Sequence, residues 1–216
     1  MSEHIATIML VDDHPLLRKG MKQLLTMEED VEVIAEASSG AEAVKLAIDL
    51  DPELIILDLN MQGMDGIETL KAMRDEGVSS RIVMLTVSDA DEDVVNAISN
   101  GADGYLLKDT DPDVLLENIK RALEGKMVLS ETITQVLATA LRRPSVKPVA
   151  ELNSLTNREY EILSLIAKGM SNKVIARELS ISDGTVKVHV KHLLKKLGLR
   201  SRVEAAVWMV NQQGAK

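Results

Sequence analysis

Short apolar runs alternate with amphipathic stretches from residue 5 to about 123. The runs near 5–11, 31–36, 54–58, 81–87 and 103–107 have the nearly unbroken apolar character of strands covered on both faces. The stretches near 15–27, 40–49, 65–76, 90–100 and 111–123 repeat their apolar positions at helical spacing. Five strand–helix units in alternation predict an open, doubly wound parallel sheet. The punctuation agrees: Pro15 and Pro112 suit first helical turns, Gly77 ends a helix, and Gly101 and Gly104 bracket the turn into the last strand.

The pattern then changes. VLSETITQVLATA (128–140) predicts a short helix capped by Ser130, and 141–153 loses periodicity around Pro144 and Pro148, as a linker does. Four helices follow, near 156–168, 172–179, 183–197 and 201–212. Thr156 with Glu159 and Ser201 with Glu204 have capping-box spacing, and Gly169 and Gly198 are helix stops. The expected division is an α/β domain over 1–127, a helix and linker over 128–153, and an all-α domain over 154–216.

Composition sharpens this picture. At 216 residues and 45% hydrophobic the chain can build two cores without staples. It has no cysteine, which excludes disulfides, thiolate metal sites and a cysteine nucleophile. Nothing approaches the roughly 18 apolar residues of a membrane span, and the opening residues lack the features of a targeting segment. A cytoplasmic protein is expected. The net charge of −9 hides a split, because 1–130 hold 11 Lys+Arg against 27 Asp+Glu while 151–216 hold 11 against 6. The first part repels nucleic acid and the second can bind it.

Chemistry gathers at the strand ends. Asp12 and Asp13 follow IATIMLV, Asp58 follows LIIL, Lys108 follows GYLL, and Thr86 ends the fourth strand. Open parallel sheets collect ligands at their carboxyl ends, so these distant residues are expected to meet. Three carboxylates in one place repel unless a cation sits among them, and all-oxygen ligation favours Mg²⁺. Lys108 adds a positive charge and Thr86 a hydroxyl, an arrangement suited to attack by a carboxylate on phosphorus. Asp58, on the central strand, is the candidate nucleophile. A calcium loop built on Asp58, Asn60 and Gly63 fails because Thr69 stands where a bidentate Glu is needed. A phosphatase using Asp58 would want an acid two residues on, where this chain has Asn60.

DDHPLLRKG, LDLNMQGMDG, MLTVSDA and GADGYLLKDTDP together resemble the receiver domain of bacterial two-component response regulators, over about residues 5–123. The resemblance implies a flavodoxin-like five-stranded fold. It implies that Asp58 accepts a phosphoryl group from a sensor histidine kinase. Asp13 and the Asn60 main-chain carbonyl would ligate Mg²⁺ with Asp58, Asp12 acting through metal-bound water. Lys108 and Thr86 would contact the phosphoryl group, and Tyr105 holds the family's aromatic switch position. One departure stands out: Gln62 occupies a loop position where the family commonly has proline.

In the stretch 183–197, residues placed about 100° apart put Val186, Val190, Leu193, Leu194 and Leu197 on one stripe and Lys187, Lys191 and Lys195 on another. A helix ending at Leu179, a turn through Ser180–Gly184 and a longer helix capped by Ser182 have helix-turn-helix spacing. The second helix of such a unit enters the DNA major groove. Lys187 and Lys191 could reach guanine edges or phosphates, and Val188, on the cationic side, could meet a thymine methyl. Asn172, Lys173 and Thr185 lie at helix starts suited to phosphate contact. His189 and His192 lack companions at metal-ligand spacing.

The stretch from LTNREYEIL to RSRVEAAV is similar to the LuxR-type DNA-binding domain, over about 152–212, and its union with a receiver resembles NarL-type regulators, with HPLLRKG, YLLKD and TVKVHVKHLLKKL pointing to the nitrate/nitrite-responsive members. The implied behaviour is a DNA-binding transcription regulator in which the unmodified receiver covers the recognition helix. Phosphorylation then frees that helix to bind double-stranded DNA as a homodimer. Two other readings are a constitutive DNA binder and a Mg²⁺-dependent phosphatase. The last helix is expected to turn Val203, Ala206, Val207 and Val210 inward. That leaves Ala205, Trp208 and Met209 for a dimer contact, although Trp208 could equally lie beneath the linker.

Overall fold

The structure is a computed structural model and describes residues 5–129, 154–170 and 172–214. The strands are β1 (Ala6–Val11), β2 (Val31–Ala37), β3 (Leu54–Leu57), β4 (Arg81–Thr86), β5 (Gly104–Leu107) and β6 (Val128–Leu129). Between the first five and after the fifth lie α1 (Pro15–Thr26), α2 (Gly40–Leu50), α3 (Gly66–Asp75), α4 (Asp91–Ser99) and α5 (Pro112–Leu123). The second domain contains α6 (Asn157–Ala167), α7 (Asn172–Glu178), α8 (Asp183–Leu197) and α9 (Arg202–Gly214). The strand order is β2-β1-β3-β4-β5-β6, and every pair is parallel.

Alternation along each strand divides the apolar runs between two cores. Met9, Val11, Ile55, Leu57, Met84 and Tyr105 point to one face, and Ile8, Leu10, Leu54, Ile56, Val83 and Leu106 to the other. All four residues of β3 are buried, which leaves no polar position on the central strand. Each such side chain contributes roughly 1.5–3 kcal/mol by leaving water. With both faces covered, polar chemistry is confined to the ends of the strands.

The helices start as their sequences predict. Pro15 and Pro112 occupy first turns, and Asp65 with Glu68 and Thr156 with Glu159 form complete capping boxes. Ser201 Oγ accepts from the Glu204 N–H at 3.1 Å, but the Glu204 carboxylate reaches the Arg200 N–H (2.7 Å). In the second domain Ile162, Ile166, Ile175, Val186, Val190, Leu193 and Leu197 form one core, as the stripe on α8 predicts.

Two expectations need correction. The sheet has six strands, not five, because Val128 and Leu129 pair in parallel with Gly104 and Tyr105 instead of opening a helix. The cause is Gly104: a Cβ there would lie 2.5 Å from Val128 Cγ2 and 2.8 Å from the Val128 carbonyl oxygen, so only glycine lets the chain come alongside β5. The rest of the expected 128–140 helix, with Ser130, and the 141–153 linker lie outside the described residues.

The second correction concerns α9. Ala205 and Met209 are buried in the domain's own core and Trp208 packs against it, while Val210 is 55% exposed. They do not form a free dimer face. The helix is apolar around most of its circumference, so its period allows two inward stripes, and packing against α6 selects the one containing Ala205 and Met209. The side chains of Val203 and Val207 lie outside those described.

Gly104→Ala is expected to cost about 1–3 kcal/mol, the usual penalty for overfilling a tight contact. Urea unfolding of the full chain measures it, and an unchanged midpoint would mean that β6 separates from the sheet without cost.

Candidate functional site

The carboxyl ends of β1, β3, β4 and β5 are held level by backbone hydrogen bonds. The Asp58 N–H donates to the Val11 carbonyl (2.8 Å) and the Lys108 N–H to the Thr86 carbonyl (2.8 Å). This alignment brings Asp12, Asp13, Asp58, Thr86 and Lys108 to one edge, as the sequence predicts. Gly66 lets α3 begin there, since a Cβ on it would lie 2.2 Å from the Asp58 carbonyl oxygen.

Lys108 Nζ stands 2.8 Å from Asp12 Oδ2 and 2.8 Å from Asp58 Oδ2. Burial alone would lower its pKa, but its hydrogen bond to Asp12 and its close ionic contacts with both aspartates outweigh that and hold it above the usual lysine range. Asp58 is almost fully buried, and burial raises its carboxyl pKa, with Lys108 offsetting the shift only in part and Asp12 adding to it. Asp58 Oδ2 has the Lys108 ammonium and Asp13 Oδ1 the His14 Nδ1 (2.8 Å) as neighbours, but neither oxygen has a donor in hydrogen-bonding alignment.

Ligand atoms of Asp12, Asp13, His14 and Asp58 lie within 4.8 Å of one another. Close carboxylates, two with buried oxygens that accept no hydrogen bond, fit a hard divalent cation better than they fit one another. Asp13 and Asn60 also line an open cleft of about 420 Å³ beside this cluster. Asp13 Oδ2 accepts from the Gln62 N–H at 3.0 Å, a bond that a proline at position 62 could not donate.

Thr86 Oγ1 is buried and accepts from Ser88 N–H (3.2 Å) and Asn60 Nδ2 (3.4 Å). Tyr105 is fully buried and its hydroxyl donates to the Ser88 carbonyl (2.9 Å). Burial, with Asp93 and Asp89 nearby, pushes its pKa up to about 12, so it remains a donor at neutral pH. Ser88 thus connects Thr86 to Tyr105, a link with no signal in the sequence.

The helical domain meets the opposite edge of the same sheet. Lys187 Nζ pairs with Asp51 (3.1 Å), and Lys191 Nζ donates to the Glu76 carbonyl (3.1 Å). Lys173 Nζ lies 3.4 Å from Thr7 Oγ1 and 3.9 Å from Glu53 Oε1. Asn172 is buried, donating to Ser79 Oγ (2.7 Å) and accepting from Arg202 Nη1 (3.3 Å). Four of the seven residues expected to meet DNA therefore face the α/β domain. Thr185 is bonded to the Ser182 cap, Lys195 is exposed, and Val188 is 53% exposed on the cationic side.

Sequence reasoning missed the residues that hold this junction. Arg81, at the start of β4, is buried and donates to the carbonyls of Leu123 and, across the boundary, Gly169 (2.6 Å). Gly169 and Gly125 allow the two backbones to meet, since a Cβ on Gly169 would lie 2.3 Å from the Glu124 carbonyl oxygen. Arg200 donates across the boundary to the Ser99 carbonyl (2.7 Å), while Arg74, paired with the buried Asp103 (2.8 Å), braces the α/β side of the junction from within that domain. A signal existed for Arg81 alone: an arginine opening the buried run RIVMLT needs partners.

The description "response regulator receiver domain" matches residues 8–120, and "bacterial regulatory proteins, luxR family" matches 153–209. The nitrate/nitrite response regulator protein NarL of Escherichia coli K12 is 56% identical over 204 residues, 94% of each chain. The nitrate/nitrite response regulator protein NarP of the same organism is 50% identical over 209 residues, 97% of this chain and 96% of that one. The crystal structure of the response regulator ChrA of a heme-sensing two-component system is similar with TM-score 0.51 and 32% identity, covering 97% of this chain and 98% of that one.

Two outcomes follow for the metal-free protein in EDTA. A carboxyl whose pKa is raised on folding binds more protons folded than unfolded, so stability falls as pH rises between the two values. Asp58→Asn is therefore expected to unfold later than wild type at pH 7 and to lose that fall, and an unaltered pH profile in thermal melts would contradict it. Lys108→Met leaves two buried acids without their cation and is expected to cost on the order of 3 kcal/mol at pH 7 and less near pH 4. Denaturant titration at both pH values checks the difference.

Proposed function

The chain belongs to the response regulators that join a receiver domain to a luxR-family helix-turn-helix domain, and we propose that it is a phosphorylation-gated transcription regulator in nitrate/nitrite-responsive gene control. The signal assigned is the one named for the relatives NarL and NarP. The receiver takes residues 1 to 129, including β6, and residues from 154 onward form the DNA-binding domain. The protein works in the cytoplasm and binds paired half-sites on double-stranded DNA as a homodimer. No helix among the described residues is long and apolar enough to cross a membrane.

Asp12, Asp13, Asp58 and the Asn60 main-chain carbonyl would hold Mg²⁺, which supplies positive charge for the phosphoryl oxygens when bound. An Asp58 carboxylate oxygen attacks the phosphorus of a kinase phosphohistidine. The O–P bond of an acyl phosphate forms, the P–N bond breaks, and the histidine leaves with a proton. Lys108 keeps Asp12 and exchanges its Asp58 contact for a phosphoryl oxygen. Thr86 turns its hydroxyl to the same group, releasing Ser88, and Tyr105 responds through the Ser88 carbonyl. The receiver accepts the group without rapid turnover, because Asn60 stands where a proton-transferring acid would be needed.

The observation that carries this reading is the use of one sheet for two contacts: Asp58 and Lys108 at its carboxyl edge, Lys187 and Lys191 of α8 held by Asp51 and Glu76 at the other. Held in this way, Lys187 and Lys191 are engaged by the receiver and are not offered to DNA. Strand β4 begins with Arg81 at the domain junction and ends with Thr86 at the phosphoacceptor. Its six residues span roughly 17 Å and couple the two ends.

Acetyl phosphate with Mg²⁺ is expected to tighten sequence-selective DNA binding by the full chain about tenfold or more, within the usual range of coupling between sites. Asp58→Asn should not respond, and Asp51→Lys, which sets a cation against Lys187, should raise donor-free affinity. Fluorescence anisotropy against enriched genomic fragments measures all three, and affinity indifferent to the donor would end the gating reading.

A further inference from the structure

A cleft of about 560 Å³ opens between the two domains where α3 ends and α8 passes over it. Lys71 of α3, Lys191 and Lys195 of α8, and Arg200 from the turn before α9 line it, together with Arg74, whose charge is matched by Asp103 (2.8 Å), and Asp75 is the lone carboxylate among its lining residues. Lys71, Lys191 and Lys195 have no carboxylate partner among the described residues, and Arg200 meets one, Glu204, through its main-chain N–H (2.7 Å) and not its guanidinium. Lys191 donates to the Glu76 carbonyl (3.1 Å), and Arg200 to the Ser99 carbonyl (2.7 Å) and the Asn100 side-chain oxygen (3.0 Å). Lys71 and Lys195 make no bond among the described residues. The contrast with Lys187, paired to Asp51 at the same junction, is sharp.

Like charges contributed by two domains to one space oppose the arrangement that brings them together, unless an anion lies between them. A single anionic group cannot serve Lys71, Lys191, Lys195 and Arg200 together in a cleft of about 560 Å³, whereas a chain of phosphates can. The volume suits a ligand of nucleotide size, and Val78 and Leu194 add apolar wall. We propose that this cleft binds an oligophosphate, free or as part of a nucleotide, and that the bound ligand locks the receiver onto α8. The locking half rests on the reading of α8 as the DNA-binding helix, because the ligand and DNA then compete for Lys191 and Lys195. Coupling of this kind is reciprocal, so DNA also expels the ligand.

Calorimetry of the full chain with sodium triphosphate in EDTA tests the site without reference to DNA or to metal at the acidic edge. Saturable binding is expected, and Lys71→Ala should weaken it about tenfold, the loss of one charge-assisted contact. Lys71→Arg should restore it, and matched circular dichroism of the variants guards against misfolding. Absence of saturable heat, or equal binding by Lys71→Ala, overturns the site, since lysines of α8 acting alone would not sense residue 71. Titration with ATP separates the sources: tighter binding than triphosphate assigns a nucleotide, and equal binding assigns the phosphate chain alone. Triphosphate should then weaken DNA binding by wild type more than by Lys71→Ala, and equal weakening overturns the lock. A chain that binds triphosphate through Lys71 but no DNA would refute the regulator reading and leave the cleft standing.

Discussion

A parallel sheet covered on both faces has only its two edges left for polar groups, and the rest of this structure depends on that constraint. Four consecutive buried residues in β3, with similarly buried neighbours, exclude water from both faces. At the carboxyl edge the constraint gathers Asp12, Asp58, Thr86 and Lys108. At the amino edge it gathers Asp51, Glu53, Ser79 and Arg81, on which the helical domain rests.

Both edges hold charges that are only partly compensated. At the carboxyl edge one ammonium serves two buried carboxylates, an incomplete match that an added cation or phosphoryl group improves. At the amino edge burial lowers the pKa values of Arg74 and Arg81, while nearby Asp103 works in the opposite direction. Arg202 is lowered to about 9 by burial and by the neighbouring Arg81, against the pull of Asp103, Asp51 and Glu53. Buried ionic contacts of this kind define a geometry without adding much net stability. A junction held in this way can be shifted by a few kcal/mol, the scale of a two-state switch.

Much of the α/β domain was legible because its signals are local. Apolar runs, helical spacing and the prolines at Pro15 and Pro112 locate five strands and five helices within a few residues of where they lie. The acidic cluster was legible for a less local reason: parallel topology obliges residues just past successive strands to share an edge, so Asp12, Asp58 and Lys108 could be placed together from position alone. The Ser88 link between Thr86 and Tyr105 was not, because it depends on a loop carbonyl that no side-chain pattern encodes.

The sequence by itself determined the two domains, the elements within them, the core stripe of α8 and the convergence of the carboxylates, since each follows from period, capping or strand order. Only the tertiary structure decided that Val128 and Leu129 extend the sheet beside Gly104, that Ala205 and Met209 are core, and that Asn172, Lys173, Lys187 and Lys191 face the receiver. Those outcomes turn on which surfaces meet. Asp51 and Lys187 are distant in the chain, and nothing in the residues around either one shows that they will pair.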